Sequence, residues 1–350
     1  MKKFLKINRK TITFILILIA IPAFIFLFCK KEEPLTSTTT AMGTYIQQTV
    51  LGKNASEAII CANKNIETLE HKISWRIQDS EIALINKNGN KETIVSQDTL
   101  ELLSLSLDLA KNSNGAFDIT ILPVSCLWDF CGKNEHLPTE NEINEKLPFV
   151  NYNNLNIDVQ NNKVFLSNKF SGIDLGAVGK GKACNTAISA YKELGVKYGI
   201  ISVGGSIGIY GEKDDGSPFK VGIKNPFYQN ESENNFAIIE LFRGYVSTSG
   251  AYERNFIKDG KMYHHILNPK TGYPAQSDMA SITVLHNDGT ITDLLSTACY
   301  VLGKEKSLDL LKHYNAQGIL VDNDKNVFAT PLIKDKITLT DNSFHLTVWE

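Results

Sequence analysis

From Tyr198 to His286 the chain reads as a succession of short strands: Tyr198–Val203, Ile207–Tyr210, Phe219–Ile223, Phe236–Leu241, Gly244–Ser247, Arg254–Ile257, Met262–Ile266 and Ser281–His286. Strands that follow one another through short turns, with helices gathered elsewhere, argue for an α+β fold and against a doubly wound parallel sheet. Helical spacing is confined to a few stretches. Ser56–Ile73 carries Ile59, Ile60, Ala62, Ile66, Leu69 and Ile73 on one face, Thr99–Lys111 is Leu-rich, and Val178–Leu194 is closed by Gly195. Thr139 and Glu142 have capping-box spacing. No linker or repeat interrupts residues 41–350, which read as a single domain of mixed and antiparallel sheet with flanking helices.

The N-terminus is a different kind of sequence. A basic start, MKKFLKINRK, precedes the nearly continuous apolar run Thr11–Phe28, so residues 1–28 read as an export signal or membrane anchor. Cys29 and a polar stretch follow, and residues 29–40 are expected to form a tether. A Cys at this point resembles the lipidated residue of a bacterial lipoprotein, although Phe28 is larger than the residue usual before the cleavage site. An uncleaved anchor is the alternative. Either reading puts the domain outside the cytoplasm, on the membrane. Five further cysteines cannot all pair with one another, and Cys126 with Cys131 is the one pair close in sequence. The net charge of −2 and the lack of a basic stripe give no footprint for nucleic acid.

Thr290–Gly303, TITDLLSTACYVLG, reads as a helix with Thr290 or Thr292 as its cap and Gly303 as its stop. Asp293 and Thr297 are one turn apart on the same side. A carboxylate and a hydroxyl so placed offer two hard oxygens to a small cation such as Mg²⁺; helix-dipole and packing roles are the plainer reading. Other polar or Gly-rich patches break the core pattern. Gly115-Ala116-Phe117-Asp118, with Thr120 and the Trp128/Phe130 pair, suggests an apolar slot with a polar rim. The run Ile173–Gly181 leads a Gly-rich turn carrying Lys180 into a helix N-terminus, which suits a phosphate. Gly204-Gly205, Ser247–Tyr252 and His264–Gly272 complete the set, with His265 able to orient or take a hydroxyl proton.

These motifs and their order, from Ala41-Met42-Gly43-Thr44 through IDLGAVGKG, TSGAYER and HHILNPKTG to Asp293/Thr297, resemble the ApbE family of flavin transferases over roughly residues 41–303. The resemblance implies a tunnelling-fold-like α+β domain with FAD in a cleft and Mg²⁺ beside its pyrophosphate. It implies FAD contacts from Met42, Trp75, Ala116, Phe117, Asp118, Asp174, Lys180 and Leu267, with Trp75 standing where Tyr is usual. It places Mg²⁺ on the Ala177 carbonyl, Asp293 and Thr297. Asn185, Ser206 and Ser296 replace acidic residues common in the family, which puts a second metal position in doubt.

The implied chemistry is attack by a Thr or Ser hydroxyl of a target protein on the FMN-side phosphorus of FAD, with AMP leaving. The acceptor motif is Ser/Thr-Gly-Ala-Ser/Thr, and His265 or Asp293 would receive the proton. Ser249-Gly250-Ala251-Tyr252 lacks the final hydroxyl, so self-modification is not expected. A metal-dependent FAD pyrophosphatase and a non-enzymatic FAD-binding lipoprotein are the rival readings.

Overall fold

A computed structural model describes residues 32–130, 136–227 and 235–350. The signal or anchor at 1–28, Cys29 and the Cys131 half of the Cys126/Cys131 pair lie outside the described residues. Among those described, no helix is long and apolar enough to cross a membrane.

The frame is a nine-stranded sheet whose spatial order follows chain order. Its strands are β1 (Leu35–Ala41), β2 (Thr44–Leu51), β3 (Tyr198–Val203), β4 (Ser206–Gly211) and β5 (Gly244–Gly250). They continue with β6 (Met279–His286), β7 (Gln317–Asp322), β8 (Asn326–Ala329) and β9 (His345–Val348). Every neighbouring pair is antiparallel except β8 with β9. The expected antiparallel, helix-flanked α+β architecture is therefore what forms. Phe219–Lys224 and Asn235–Leu241 instead join Ile337–Leu339 in a separate three-stranded sheet. Asn255–Lys258 and Lys261–His264 form a hairpin of their own.

The polar run expected as a tether through Thr40 is a strand from Leu35 onward, paired residue by residue with β2 from Leu35↔Val50 to Ala41↔Thr44. Its β-branched threonines favour extended backbone, and the edge of β2 supplies the partner.

Helices α1 (Ala55–Ile73), α2 (Gln97–Asn112), α3 (Gly179–Glu193), α4 (Gly289–Leu302) and α5 (Lys304–His313) supply much of the main core. Alternation along the strands divides their side chains between two cores. In β7, Leu320 joins the helix-side core, while Ile319 and Val321 join a core shared with Phe219, Phe236 and Ile239 of the small sheet. Full burial of each such side chain contributes about 1.5–3 kcal/mol relative to exposure. The capping box at Thr139 and Glu142 forms as expected.

Two features of this frame position the site. The β1–β2 turn is closed by Met42 (φ 54°) and Gly43 (φ 66°), the positive-φ pair of a two-residue hairpin turn. A non-glycine residue seldom adopts this conformation. The β3–β4 turn, Gly204-Gly205, lies at the same end of the sheet.

A candidate flavin-nucleotide and metal site

Met42, Trp75, Ala116, Phe117, Asp118, Asp174, Ala177, Lys180, His265, Leu267, Asp293 and Thr297 all line one cavity of about 350 Å³. They arrive from the β1–β2 turn, the end of α1, the loop after α2, the entry to α3, the loop after the two-stranded hairpin, and α4. The volume lies within the roughly 300–1,000 Å³ of small-molecule sites.

The α4 carboxylate is buried. Asp293 has 5% of its side chain exposed, accepts a hydrogen bond from Gly181 N at 3.0 Å through Oδ2, and has Lys180 Nζ 3.3 Å from Oδ1. The cap of α4 is Asp288, whose side chain accepts from Thr290 N and Ile291 N, and not Thr290 or Thr292 as expected. A carboxylate is charged as well as correctly placed, so it satisfies the positive helix end better than a hydroxyl does. Thr292 is drawn inward, where its hydroxyl donates to Gly289 O and lies 2.8 Å from the Ser247 hydroxyl oxygen.

The three residues that depart from the family pattern belong to the packing beneath this helix. Asn185 accepts from Gly289 N and donates to Asp288 and Thr290. Ser247 donates to Ser206, and Ser249 donates to Ser296, which in turn donates to the Asp293 carbonyl. Short neutral side chains there tie α4 to β5 and α3.

The glycine turn is held from within. Asp174 Oδ1 accepts from Gly176 N at 2.8 Å, and Lys180 donates to the Gly176 carbonyl at 3.1 Å. Asp118, raised in pKa by burial, accepts from Thr120 N, Thr120 Oγ1 and Tyr152 N and so fixes the loop after α2. Trp75 lies half-buried at the cavity with the Arg76 guanidinium 4.1 Å from its ring centroid. Trp128, expected at the slot, is instead fully buried. It donates to Gly272 O and stacks on Phe130, and only Phe130 reaches the cavity. The larger indole is worth more to the core than to a wall.

His265 is half-buried, and its Nδ1 donates to the Arg254 carbonyl at 3.2 Å, leaving Nε2 as the acceptor nitrogen. Loss of hydration, with the positive charges of Lys180 and Arg254, pulls its pKa down from the ordinary 6.5 to about 3. The ring is therefore neutral at physiological pH and poised to accept a hydroxyl hydrogen. Its neighbour His264 is buried and donates through Nε2 to Ala275 O.

Arg76, Cys126 and Arg254, none of them among the residues expected at the site, also line the cavity. Arg254 also donates to Gly43 O at 3.1 Å, bracing the β1–β2 turn. It stood within the TSGAYER motif, but nothing local marked that long-range bond.

Asp293 brings a carboxylate and Thr297 a hydroxyl to the cavity, and Ala177 lines it beside them. Among the described residues there is no cluster of three or more His, Cys, Asp or Glu that could hold a metal. That donor set suits a hard cation that takes its remaining ligands from water and substrate phosphate, which is the habit of Mg²⁺.

The sequence model of the ApbE family matches residues 42–320. This chain belongs to the ApbE family. It is 30% identical over 317 residues to the FAD:protein FMN transferase of Haemophilus influenzae, covering 86% of this chain and 90% of that protein. To the FAD:protein FMN transferase of Treponema pallidum it is 28% identical, covering 87% and 89%. The crystal structure of the ApbE protein of Thermotoga maritima superposes with a TM-score of 0.79 at 30% identity, over 86% of this chain and 98% of that one. The flavin transferase ApbE of Vibrio cholerae shares the fold, with a TM-score of 0.77 at 22% identity over 87% and 99%. The cavity of this ApbE-family chain is thus set in a fold shared along nearly the whole length of its relatives.

Proposed function

We propose that this chain is a FAD:protein FMN transferase that moves FMN from FAD onto a serine or threonine hydroxyl of another protein and releases AMP. One observation carries the reading: an oxygen-lined pair on α4, a glycine turn bearing Lys180 and a half-apolar aromatic wall converge on a single cavity. Those parts match the diphosphate and the flat ring of FAD in turn.

Asp293, Thr297 and the Ala177 carbonyl would hold Mg²⁺, which when bound neutralises phosphate charge. Phosphoryl transfer asks chiefly for such neutralisation and for an in-line nucleophile. The backbone amides at the start of α3 and Lys180 offset charge building on the departing AMP phosphate. Trp75, Phe117 and Leu267 exclude water around the ring. His265 Nε2 accepts the hydrogen of the incoming hydroxyl and aligns its oxygen with the FMN-side phosphorus. The hydroxyl oxygen bonds that phosphorus as the bridging P–O bond to AMP breaks. A ring held near pKa 3 orients the hydroxyl hydrogen, which passes to the departing AMP phosphate as the new P–O bond forms. The negative diphosphate placed between Lys180 and Arg254 would raise the basicity of the ring.

The acceptor is a partner presenting a Ser/Thr-Gly-Ala-Ser/Thr segment. Ser249, in the chain's own nearest match, is buried and bonded to Ser296, which supports modification of a partner and not of self. The basic and apolar N-terminus supports export and retention at the membrane, through lipidated Cys29 or an anchor.

The test is incubation of the chain with FAD, Mg²⁺ and an acceptor domain bearing the motif, read by intact mass. Acceptor heavier by FMN, with equimolar AMP, is the expected result. Free FMN with AMP and unmodified acceptor would make the chain a pyrophosphatase, and unchanged bound FAD would make it a carrier.

A further inference from the structure

Lys180 and Asp293 form a close ion pair within the site, and the pair has a consequence for metal binding. The ammonium is 3.3 Å from Asp293 Oδ1 and donates to Gly176 O at 3.1 Å, with 27% of the lysine side chain and 5% of the aspartate exposed. A carboxylate buried this far is costly to leave without a positive partner. Lys180 supplies it, and Gly181 N adds a hydrogen bond to the other oxygen. The lysine stem passes the β3–β4 turn, where a Cβ on Gly204 would lie 3.5 Å from Lys180 Cδ. It therefore lies along the cavity wall.

The same carboxylate is assigned above to a divalent cation. Two cations held within about 4 Å of each other repel strongly in a partly dehydrated site, so the ammonium and the metal compete for Asp293. A lysine has a flexible four-carbon stem and a compact charge. It can turn from the carboxylate to a phosphate oxygen at the adjoining glycine turn without backbone movement.

We propose that Lys180 is an exchangeable internal counter-ion: it neutralises Asp293 until a divalent cation takes the carboxylate, and it then serves the nucleotide diphosphate. This rests on the metal assignment of the proposed function. Lys180 thus opposes metal binding in the absence of nucleotide, although it assists the nucleotide once the metal is in place. Its role is positioning and charge exchange, and it makes no covalent bond.

The experiment uses the full-length chain in detergent, free of nucleotide, with Mn²⁺ as the probe and free Mn²⁺ counted by electron paramagnetic resonance. Lys180→Met and Lys180→Gln are expected to bind Mn²⁺ roughly fivefold or more tightly than wild type, the scale of an ordinary coupling between sites. Lys180→Arg, which keeps the charge, stays close to wild type. In urea without metal, Lys180→Met unfolds earlier than wild type, and saturating Mn²⁺ closes the gap. Lys180→Gln retains a donor for Gly176 O, so it reports even if the Met variant folds poorly. Wild-type binding with no tightening in either neutral variant overturns the exchange and leaves the metal assignment standing. A wild-type chain that binds no Mn²⁺ overturns the metal assignment and the exchange with it.

Discussion

Gly181 and Gly289 meet backbone to backbone: a Cβ added to Gly181 would collide with the Gly289 carbonyl and stand 2.7 Å from Asp293 Cβ. This approach brings Gly181 N within 3.0 Å of Asp293 Oδ2 and so sets the depth of the carboxylate. Gly181→Ala must push α3 from α4. It is expected to cost about 1–3 kcal/mol, the usual penalty of overpacking, and to weaken Mn²⁺ binding as well. Urea unfolding checks the first effect, and an unchanged midpoint would remove the argument that this contact builds the site.

Asp293→Asn separates charge from shape. The amide oxygen can still accept from Gly181 N, so the fold should survive with a near-normal melting temperature. FMN transfer should fall by about 10²–10³, the loss seen when a group stabilising transition-state charge is removed. AMP release by liquid chromatography is the measurement, and wild-type turnover in this variant would contradict the assignment.

His265 carries a pH prediction. Unfolded, it binds its proton near the ordinary 6.5, whereas folded it does so only near 3. Between those values the unfolded chain holds more protons, so stability falls as pH drops through that window. Burial of His264 shifts it in the same direction. Buried Asp118, whose pKa is raised, opposes them only in the carboxylate range. His265→Gln is expected to flatten the dependence of the urea midpoint on pH, and an unaltered slope would contradict the depressed value.

Trp75 offers its ring to the cavity with Arg76 against it. Trp75→Ala should raise KM for FAD by roughly tenfold, as loss of a stacked aromatic worth about 0.5–1.5 kcal/mol plus buried area implies. Trp75→Tyr should recover most of it. Quenching of flavin fluorescence on binding reports both, and equal affinity in all three chains would exclude a ring contact at this position.

The sequence showed where polar groups interrupt a core pattern, and those interruptions proved to face one cavity. Asp293 and Thr297 needed only helical spacing to be placed on one side. The capping box at Thr139, the Gly303 stop and the Gly195 stop were equally local, because each depends on residues within a turn. Misreadings arose where a distant partner decided the outcome. Residues Leu35–Thr40 look like a tether until β2 pairs with them, and Trp128 looks like a cavity wall until Gly272 and the hairpin aromatics enclose it.

By itself, then, the sequence determined the α+β class, the side of α4 that carries a carboxylate and a hydroxyl, and the glycine turn that suits a phosphate; the order of its motifs carried the resemblance to the family. The class, the helix side and the turn follow from periodicity and from backbone chemistry that acts over a few residues. Only the tertiary structure decided that Lys180 pairs with Asp293, that Asn185, Ser206 and Ser296 sit in the packing beneath α4, and that Arg254 braces the turn at Gly43. Each joins residues far apart in the chain. Their geometry is set by how closely the helices and the sheet can pack, and no local pattern encodes that distance.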